Sequence, residues 1–207
     1  MPLLQILKKE PVPTAVGLRA VESRCEFCSA GIDEAHGHLV DLARRTLLCV
    51  CRPCYLLFTH DGTGGKRFRA VPERYTVLAD ALVPREGWDA LQIPVGLAFF
   101  FQSSATGRAT VFYPSPGGAT ESELPLGDWE ALVRAMPALA SLRPDVEALL
   151  VRRSGGRADA LIAPIDACYE LVGRIRLAWE GLSGGDAVPR EVDAFFARAI
   201  ERAGSVG

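Results

Sequence analysis

The sequence lacks several features that mark particular classes of protein. Its 207 residues include no apolar run approaching the ~20 residues needed to cross a bilayer. The longest strongly apolar run, residues 95–101, has the length of a strand. The first nine residues place their lysines after the apolar residues and lack a small-residue cleavage site, which is the wrong order for a signal peptide. We therefore expect a cytoplasmic protein without a membrane span.

The chain also lacks an excess of charge of either sign. Twenty-three basic and 25 acidic residues leave a formal net charge of −2. Proteins that hold nucleic acid electrostatically need a clustered positive excess, so we expect no nucleic-acid partner. Hydrophobic residues make up 49% and charged residues 23%, a composition typical of globular proteins and not of disordered ones.

No recognisable catalytic set is present. The sequence has no Gly-x-Ser-x-Gly, His-Glu-x-x-His, dinucleotide-binding or phosphate-loop motif. His60 and Asp61 stand together at an expected turn, but no serine or cysteine nucleophile can be matched to them. Enzymatic activity is therefore uncertain, and an accessory role is the expectation.

What the sequence does contain is a pair of Cys-x-x-Cys units. Cys25 and Cys28 are followed, after 22 intervening residues, by Cys51 and Cys54. In a reducing compartment, cysteines in this pattern indicate metal binding more strongly than disulfide formation. Zinc motifs of this type separate the pairs by about 15 to 20 residues, and a slightly longer hairpin accommodates 22. Because four thiolates form a closed tetrahedron that suits Zn²⁺, we predict one zinc ion on these cysteines.

Three neighbouring residues leave alternatives open. Cys49 is a fifth thiol beside the metal, a substitute for Cys51, or a small buried side chain. His36 and His38 either replace a thiolate in the site or make capping and supporting contacts. The metal is also open, because four thiolates bind zinc, a single iron as in rubredoxin, or an iron–sulfur cluster. Ser29 and Tyr55 stand where rubredoxin-like knuckles usually carry glycine, which favours zinc.

The hydrophobic pattern predicts an α+β fold, because strands come in neighbouring pairs and helices cluster late. The predicted pairs are residues 37–42 with 46–50, 55–59 with 67–71, 95–101 with 110–113, and 146–151 with 160–165. The strand at 95–101 is apolar on both faces, as expected of a central strand. A helical stripe runs from Cys168 to Leu182, and a last helix begins near Pro189.

Four segments follow from this pattern. Residues 1–24 form an arm, residues 25–71 a zinc-ribbon-like β module, residues 72–94 a connector with a short helix near residues 75–82, and residues 95–207 an α+β domain. A short helix capped by Asp128 is expected within the last segment.

Two further features carry weaker signals. Cys168 lies near the start of a helix, where the dipole can activate a thiol, but it also falls on the apolar stripe as a core thiol would. Lys66, Arg67 and Arg69 form either a small anion-binding patch or an ordinary solvated strand face.

Two stretches of the sequence, residues 25–58 and residues 163–173, resemble a bacterial family of unknown function. Genes of that family often lie in clusters for high-affinity, oxygen-tolerant [NiFe]-hydrogenases. The resemblance implies a hydrogenase subunit or maturation factor as the protein partner. It also implies that all five cysteines of the module and His36 and His38 belong to one signature. We therefore expect a metal-binding accessory protein for hydrogenase assembly, with electron transfer to the hydrogenase as the alternative.

Overall fold

The computed structural model describes residues 23–60, 67–78, 96–115, 118–123, 130–131, 133–134, 137–154, 157–181 and 184–204. Across these ranges the chain forms two antiparallel sheets with helices, which confirms the predicted α+β class. The arm predicted for residues 1–24 lies almost entirely outside the described residues. Of the short helix predicted after Asp128, residues 130, 131, 133 and 134 are described, and all four are helical as expected. No helix in the described part is long and apolar enough to cross a membrane.

The smaller sheet has the strand order β2-β1-β3. Its strands are β1 (Gly37–Asp41), β2 (Thr46–Val50) and β3 (Phe68–Ala70). The hairpin of β1 and β2 is the one that the sequence predicts, and it pairs Gly37 with Val50. Burial alternates along β1, so every second residue faces the interior.

Asp41, at the end of β1, is a buried carboxylate with a full set of donors. It accepts hydrogen bonds from Arg67 and from the backbone N–H groups of Ala43 and Arg44. The Arg67 guanidinium, hydrogen-bonded to this carboxylate, holds the pKa of Asp41 below its usual range. Arg67 is therefore a structural partner of the hairpin turn and not a free cation of an anion-binding patch.

The hairpin predicted for residues 55–59 with 67–71 is wrong in its first strand. Residues 52–56 form a short helix instead, α1, Arg52–Leu56, and β3 pairs with β1. Pro53 lies in the first turn of α1, where its missing N–H and fixed φ are tolerated. The Tyr55 N–H donates to the carbonyl of Cys51 and closes the first helical turn.

The larger sheet has the strand order β4-β9-β8-β5-β6-β7. Its strands are β4 (Thr76–Leu78), β5 (Leu97–Gln102), β6 (Ala109–Ser115), β7 (Gly118–Glu123), β8 (Glu147–Ser154) and β9 (Arg157–Pro164). The pairs β5–β6 and β8–β9 confirm the predicted ones. The short helix predicted near residues 75–82 is wrong where the structure describes it, because β4 adds to the edge of this sheet beside β9.

Helices cover one face of the larger sheet. α2, Ile165–Ala178, and α3, Ala187–Gly204, confirm the two late helices and pack on β5, β8 and β9. The other face carries a second apolar cluster under the 3₁₀ turn Pro137–Ser141. Because β5 contributes to both clusters, with Phe99 on one face and Phe100 on the other, it is the doubly buried strand that its composition predicts.

Charged pairs join the smaller sheet and the segment after it to the larger sheet. Arg69 Nη1 lies 2.8 Å from Asp145 Oδ2. Arg74 Nε lies 2.6 Å from Oε1 of Glu147, whose side chain is fully buried. These contacts fix the smaller sheet against the larger one. The division of the chain into separate domains stays a prediction.

Candidate metal centre

The first Cys-x-x-Cys unit forms a tight turn ahead of β1. The Ser29 N–H donates to the Cys25 carbonyl at 2.8 Å, and the Cys25 N–H donates to the Ala30 carbonyl at 2.8 Å. Ser29 adopts φ 60°, the left-handed conformation for which glycine is preferred. Glu26 exchanges two hydrogen bonds with the backbone of Cys49, at 3.0 and 2.5 Å, which fastens the turn to β2.

The second unit lies where β2 ends and α1 begins. Cys51 is extended and stands at the N-cap of α1, so the chain changes direction between the two cysteines. The backbone N–H of Cys54 points at the sulfur of Cys51 and lowers its pKa, although burial and the neighbouring thiols raise it overall. The turn thereby aims both sulfurs towards the first unit.

The two units bring four sulfurs together. The Sγ atoms of Cys25, Cys28, Cys51 and Cys54 all lie within 4.8 Å of one another, and those of Cys28 and Cys51 are 3.5 Å apart. A tetrahedron with zinc–sulfur bonds of ~2.3 Å has edges of about 3.8 Å. All six cysteines fall within the described residues, and none forms a disulfide. The four cysteines can therefore hold a metal ion.

Backbone dipoles favour negative charge in this cluster. Burial raises the pKa of Cys25, but the backbone N–H groups of Cys51, Cys28 and Phe27 outweigh it and bring the pKa to about 6. Burial, followed by hydrogen bonding to the neighbouring thiols, raises the pKa of Cys54 to about 12. The lowered pKa of Cys25 favours its thiolate, and binding of a cation is needed to offset the raised pKa values of Cys51 and Cys54.

Aromatic side chains surround the centre. Phe27, Phe58 and Phe68 form a three-ring cluster with centroids 5.0 to 5.7 Å apart. Tyr55 is buried, and its hydroxyl donates to the Val71 carbonyl at 2.8 Å. Its ring lies against Gly37, where an added Cβ would come within 2.6 Å of the ring. Gly37 therefore permits the close approach of α1 to β1.

We expect Gly37→Ala to destabilise the smaller sheet. The new Cβ overlaps the Tyr55 ring, and overpacking of this kind typically costs about 1–3 kcal/mol. Thermal unfolding of the metal-loaded protein measures the loss. Gly31→Ala is the matched control, because nothing lies within 4 Å of a Cβ at that position. Equal melting temperatures for the two variants would contradict the expectation.

The three alternate ligands form a cluster of their own. A ring nitrogen of His36, a ring nitrogen of His38 and the sulfur of Cys49 lie within 4.8 Å of one another, separate from the four sulfurs. His38 also contacts Asp166 across 128 residues of sequence, a partner that the sequence does not signal. Burial and the nearby Glu26 carboxylate raise the pKa of Cys49.

Cys168 lies away from both clusters. It is 5% exposed on the apolar face of α2, packed in the same core cluster as Leu171 and Ile175. Burial raises the pKa of its thiol, so the helix start does not activate it. The core-thiol interpretation is the one that the structure favours.

We expect Cys168→Ala to keep the full metal content of the wild type. The substitution removes one buried atom from the core, so a loss of about 1 kcal/mol in unfolding free energy is expected. Metal analysis and thermal unfolding of the same sample measure both. A fall in bound metal without unfolding would show that Cys168 takes part in metal binding.

The fold and the site define the class of this protein. It is a two-sheet α+β protein whose four clustered cysteines can hold a metal ion. The chain belongs to DUF5947, a family of unknown function, whose family model matches residues 24–203. Neither a curated protein nor a solved structure matches it. The family description carries no activity, so function has to be argued from the site.

Proposed function

We propose that the chain is a structural-zinc accessory protein that assists the assembly or maturation of a [NiFe]-hydrogenase through protein–protein contacts. The observation that carries the metal-binding part is the convergence of four cysteine sulfurs within 4.8 Å. Four thiolates saturate a tetrahedral ion and leave no position for a substrate, so zinc held in this way has a structural role.

The choice of zinc rests on the chemistry of the donor set. Zn²⁺ has no geometric preference from its d electrons and accepts four thiolates at the corners of a tetrahedron. Two of the four cysteines, Cys25 and Cys54, are buried in the core of the smaller sheet. A metal in this position stabilises the fold of a segment that has few other apolar residues to bury.

Exposed apolar side chains beside the centre support a docking role. Phe27 lies inside the first Cys-x-x-Cys unit and is 41% exposed, and Leu56 and Leu57, which follow Cys54 closely, are 50% and 59% exposed. We call Phe27, Leu56 and Leu57 the knuckle patch. Exposed apolar residues held in place by a metal are suited to contact a protein partner. The partner class, a hydrogenase subunit or maturation factor, comes from the resemblance of the sequence to a family encoded beside hydrogenase genes.

Capture of the partner tests the proposal. Tagged protein expressed with the hydrogenase subunits and maturation factors is expected to co-purify with one of them. The double substitution Leu56→Ser with Leu57→Ser is expected to abolish capture and keep the metal. Leu177→Ser is the matched control, since Leu177 is 91% exposed on α2. The partner assignment fails if the wild type captures no hydrogenase component and a deletion strain matures its hydrogenase normally.

An electron-transfer role with iron or an iron–sulfur cluster on the same thiolates is the second candidate. It is favoured by the backbone N–H groups that point at Cys25, by the cluster of three phenylalanine rings and by the exposure of Cys28. Hydrogen bonds to sulfur raise the potential of such centres. Anaerobically purified protein with visible absorption and stoichiometric iron would favour this candidate. A colourless sample containing zinc would exclude it.

A further inference from the structure

His36, His38 and Cys49 form a second cluster of metal-binding side chains. His38 and Cys49 are directly paired across β1 and β2, so their side chains project from the same face of the sheet. His36 precedes His38 by two residues, and their rings meet at a steep angle with centroids 4.8 Å apart. The hairpin thereby brings two imidazoles and one thiol to a single place, with donor atoms within 4.8 Å of one another.

Hydrogen bonds determine which nitrogen of each ring carries the lone pair. His36 Nδ1 lies 2.7 Å from the carbonyl oxygen of Asp33, and His38 Nδ1 lies 2.8 Å from Asp166 Oδ2. Because an oxygen acceptor needs an N–H donor, both Nδ1 atoms carry the hydrogen in the neutral rings. Both Nε2 atoms then have a free lone pair.

The Nε2 atom of His36 has no partner for that lone pair. It is buried and makes no hydrogen bond to any group in the described part of the chain. A buried acceptor without a donor costs free energy, and in native proteins such atoms are usually explained by a bound ion, a bound water or a functional role. Coordination of a metal ion would satisfy this nitrogen.

The partners of both Nδ1 atoms are those typical of metal-binding histidines. Such residues almost always donate their other ring N–H to a carboxylate or a backbone carbonyl, which orients the ring. The carbonyl of Asp33 does this for His36, and the carboxylate of Asp166 does it for His38. Asp166 is itself held in place, because its other oxygen accepts the Ala167 N–H at 2.7 Å at the start of α2.

We propose that His36, His38 and Cys49 bind a second metal ion, a divalent ion of the zinc, nickel and cobalt class, with an open fourth position. Two imidazoles and a thiolate suit such ions. Three protein ligands, unlike four, leave room for an exchangeable water or another small ligand. A cavity of about 130 Å³ lies on the histidine side of the cluster; it is lined by both histidines together with Tyr55, Tyr75 and Asp166, and Cys49 is not part of its lining. This space exceeds the roughly 10–15 Å³ that a cavity needs to hold one water molecule.

The second ion would also join the two sheets. His38 belongs to β1 of the smaller sheet, and its partner Asp166 belongs to α2, which packs on the larger sheet. The buried cysteines of the four-sulfur centre, by comparison, pack in an apolar cluster whose described members all come from the smaller sheet and the segments beside it. The second site is therefore chemically and structurally distinct from the first, and it does not depend on which metal the first site holds.

Metal stoichiometry tests the proposal. Full-length protein, purified anaerobically and reduced, is equilibrated with Zn²⁺, Ni²⁺ or Co²⁺ in separate samples and analysed for bound metal. We expect two equivalents of zinc in the wild type and one in His36→Ala and in His38→Ala. His60→Ala is the matched control, because His60 is exposed and outside the cluster, and it keeps two. Asp166→Asn is expected to weaken the second equivalent by about 10- to 100-fold, as loss of an orienting carboxylate does.

The two histidine variants guard against a folding artefact. His36 contacts a local carbonyl, so its loss leaves the His38–Asp166 contact intact. Circular dichroism of both variants shows whether the fold is kept. One equivalent in the folded wild type, or a second equivalent that survives in both histidine variants, overturns the proposal. Either result leaves the four-sulfur centre and the function proposed for it untouched, because Cys54→Ser tests the centre and capture of the partner tests the function.

Discussion

Cys54→Ser is expected to release the metal of the four-sulfur centre and to unfold the smaller sheet. Among the described residues, the buried core of this sheet consists of Cys25, Leu39, Val50, Cys54 and Tyr55, so two of its five members are proposed ligands. Binding of structural zinc contributes about 10–16 kcal/mol in small zinc modules, more than the roughly 5–9 kcal/mol that burial of three apolar side chains supplies. The same loss is expected on adding a strong chelator to the wild type.

Hydrogen exchange measures the effect region by region. Amides of β1 and β2 are expected to lose protection in Cys54→Ser, while those of β8 and β9, which have a separate core, keep theirs. Cys168→Ala provides the matched control for loss of a buried thiol. A Cys54→Ser protein that retains the metal and the protection of the hairpin would contradict the structural role of the metal.

Arg74→Ala is expected to have the second-largest effect. Its guanidinium makes two hydrogen bonds to Glu147, at 2.6 and 3.0 Å, and this carboxylate is fully buried at the start of β8. Removing the arginine leaves the buried charge with the Arg143 N–H alone among its described partners. Breaking a buried pair in this way costs about 3–5 kcal/mol. For a chain of this length the melting temperature is then expected to fall by roughly 10 °C.

An exposed ion pair serves as the control for Arg74. Arg174 and Glu170 lie one helical turn apart on α2 with both side chains about half exposed. Arg174 also lies 3.8 Å from Glu191 on α3, so Arg174→Ala removes two solvent-screened contacts and is expected to cost about 1 kcal/mol or less. Thermal unfolding of the two variants compares the same change of residue in two environments. A fall in melting temperature as small for Arg74→Ala as for Arg174→Ala would show that the buried pair does not hold the chain after β3 against β8.

The pairing of strands could be predicted where the partners are neighbours in sequence. β1 with β2, β5 with β6, and β8 with β9 are each joined by a short connection, so the local hydrophobic pattern contains both partners. β3 and β4 could not be placed in this way. Each has three residues, and each pairs with a strand that is not its neighbour along the chain. α1 was missed because a five-residue helix at a cysteine turn has no hydrophobic period.

In the candidate site, too, the features set by neighbouring residues could be predicted and those set by distant contacts could not. The spacing of the four cysteines predicts their cluster, because each Cys-x-x-Cys unit is local and the hydrophobic pattern predicts the hairpin between them. The His-x-His pair and Cys49 carry a signal too, but their separation from the four sulfurs depends on the register that pairs His38 with Cys49. The contact of His38 with Asp166 joins β1 to the first turn of α2, 128 residues further along the chain, and no local pattern contains it.

Anomalous diffraction at the zinc edge tests the central claim most directly. In a crystal of the anaerobically purified protein, data collected on both sides of the edge locate each zinc ion independently of any assumed ligand. A peak about 2.3 Å from the sulfurs of Cys25, Cys28, Cys51 and Cys54 is the predicted result. Four sulfurs that lie apart with no metal between them would contradict it.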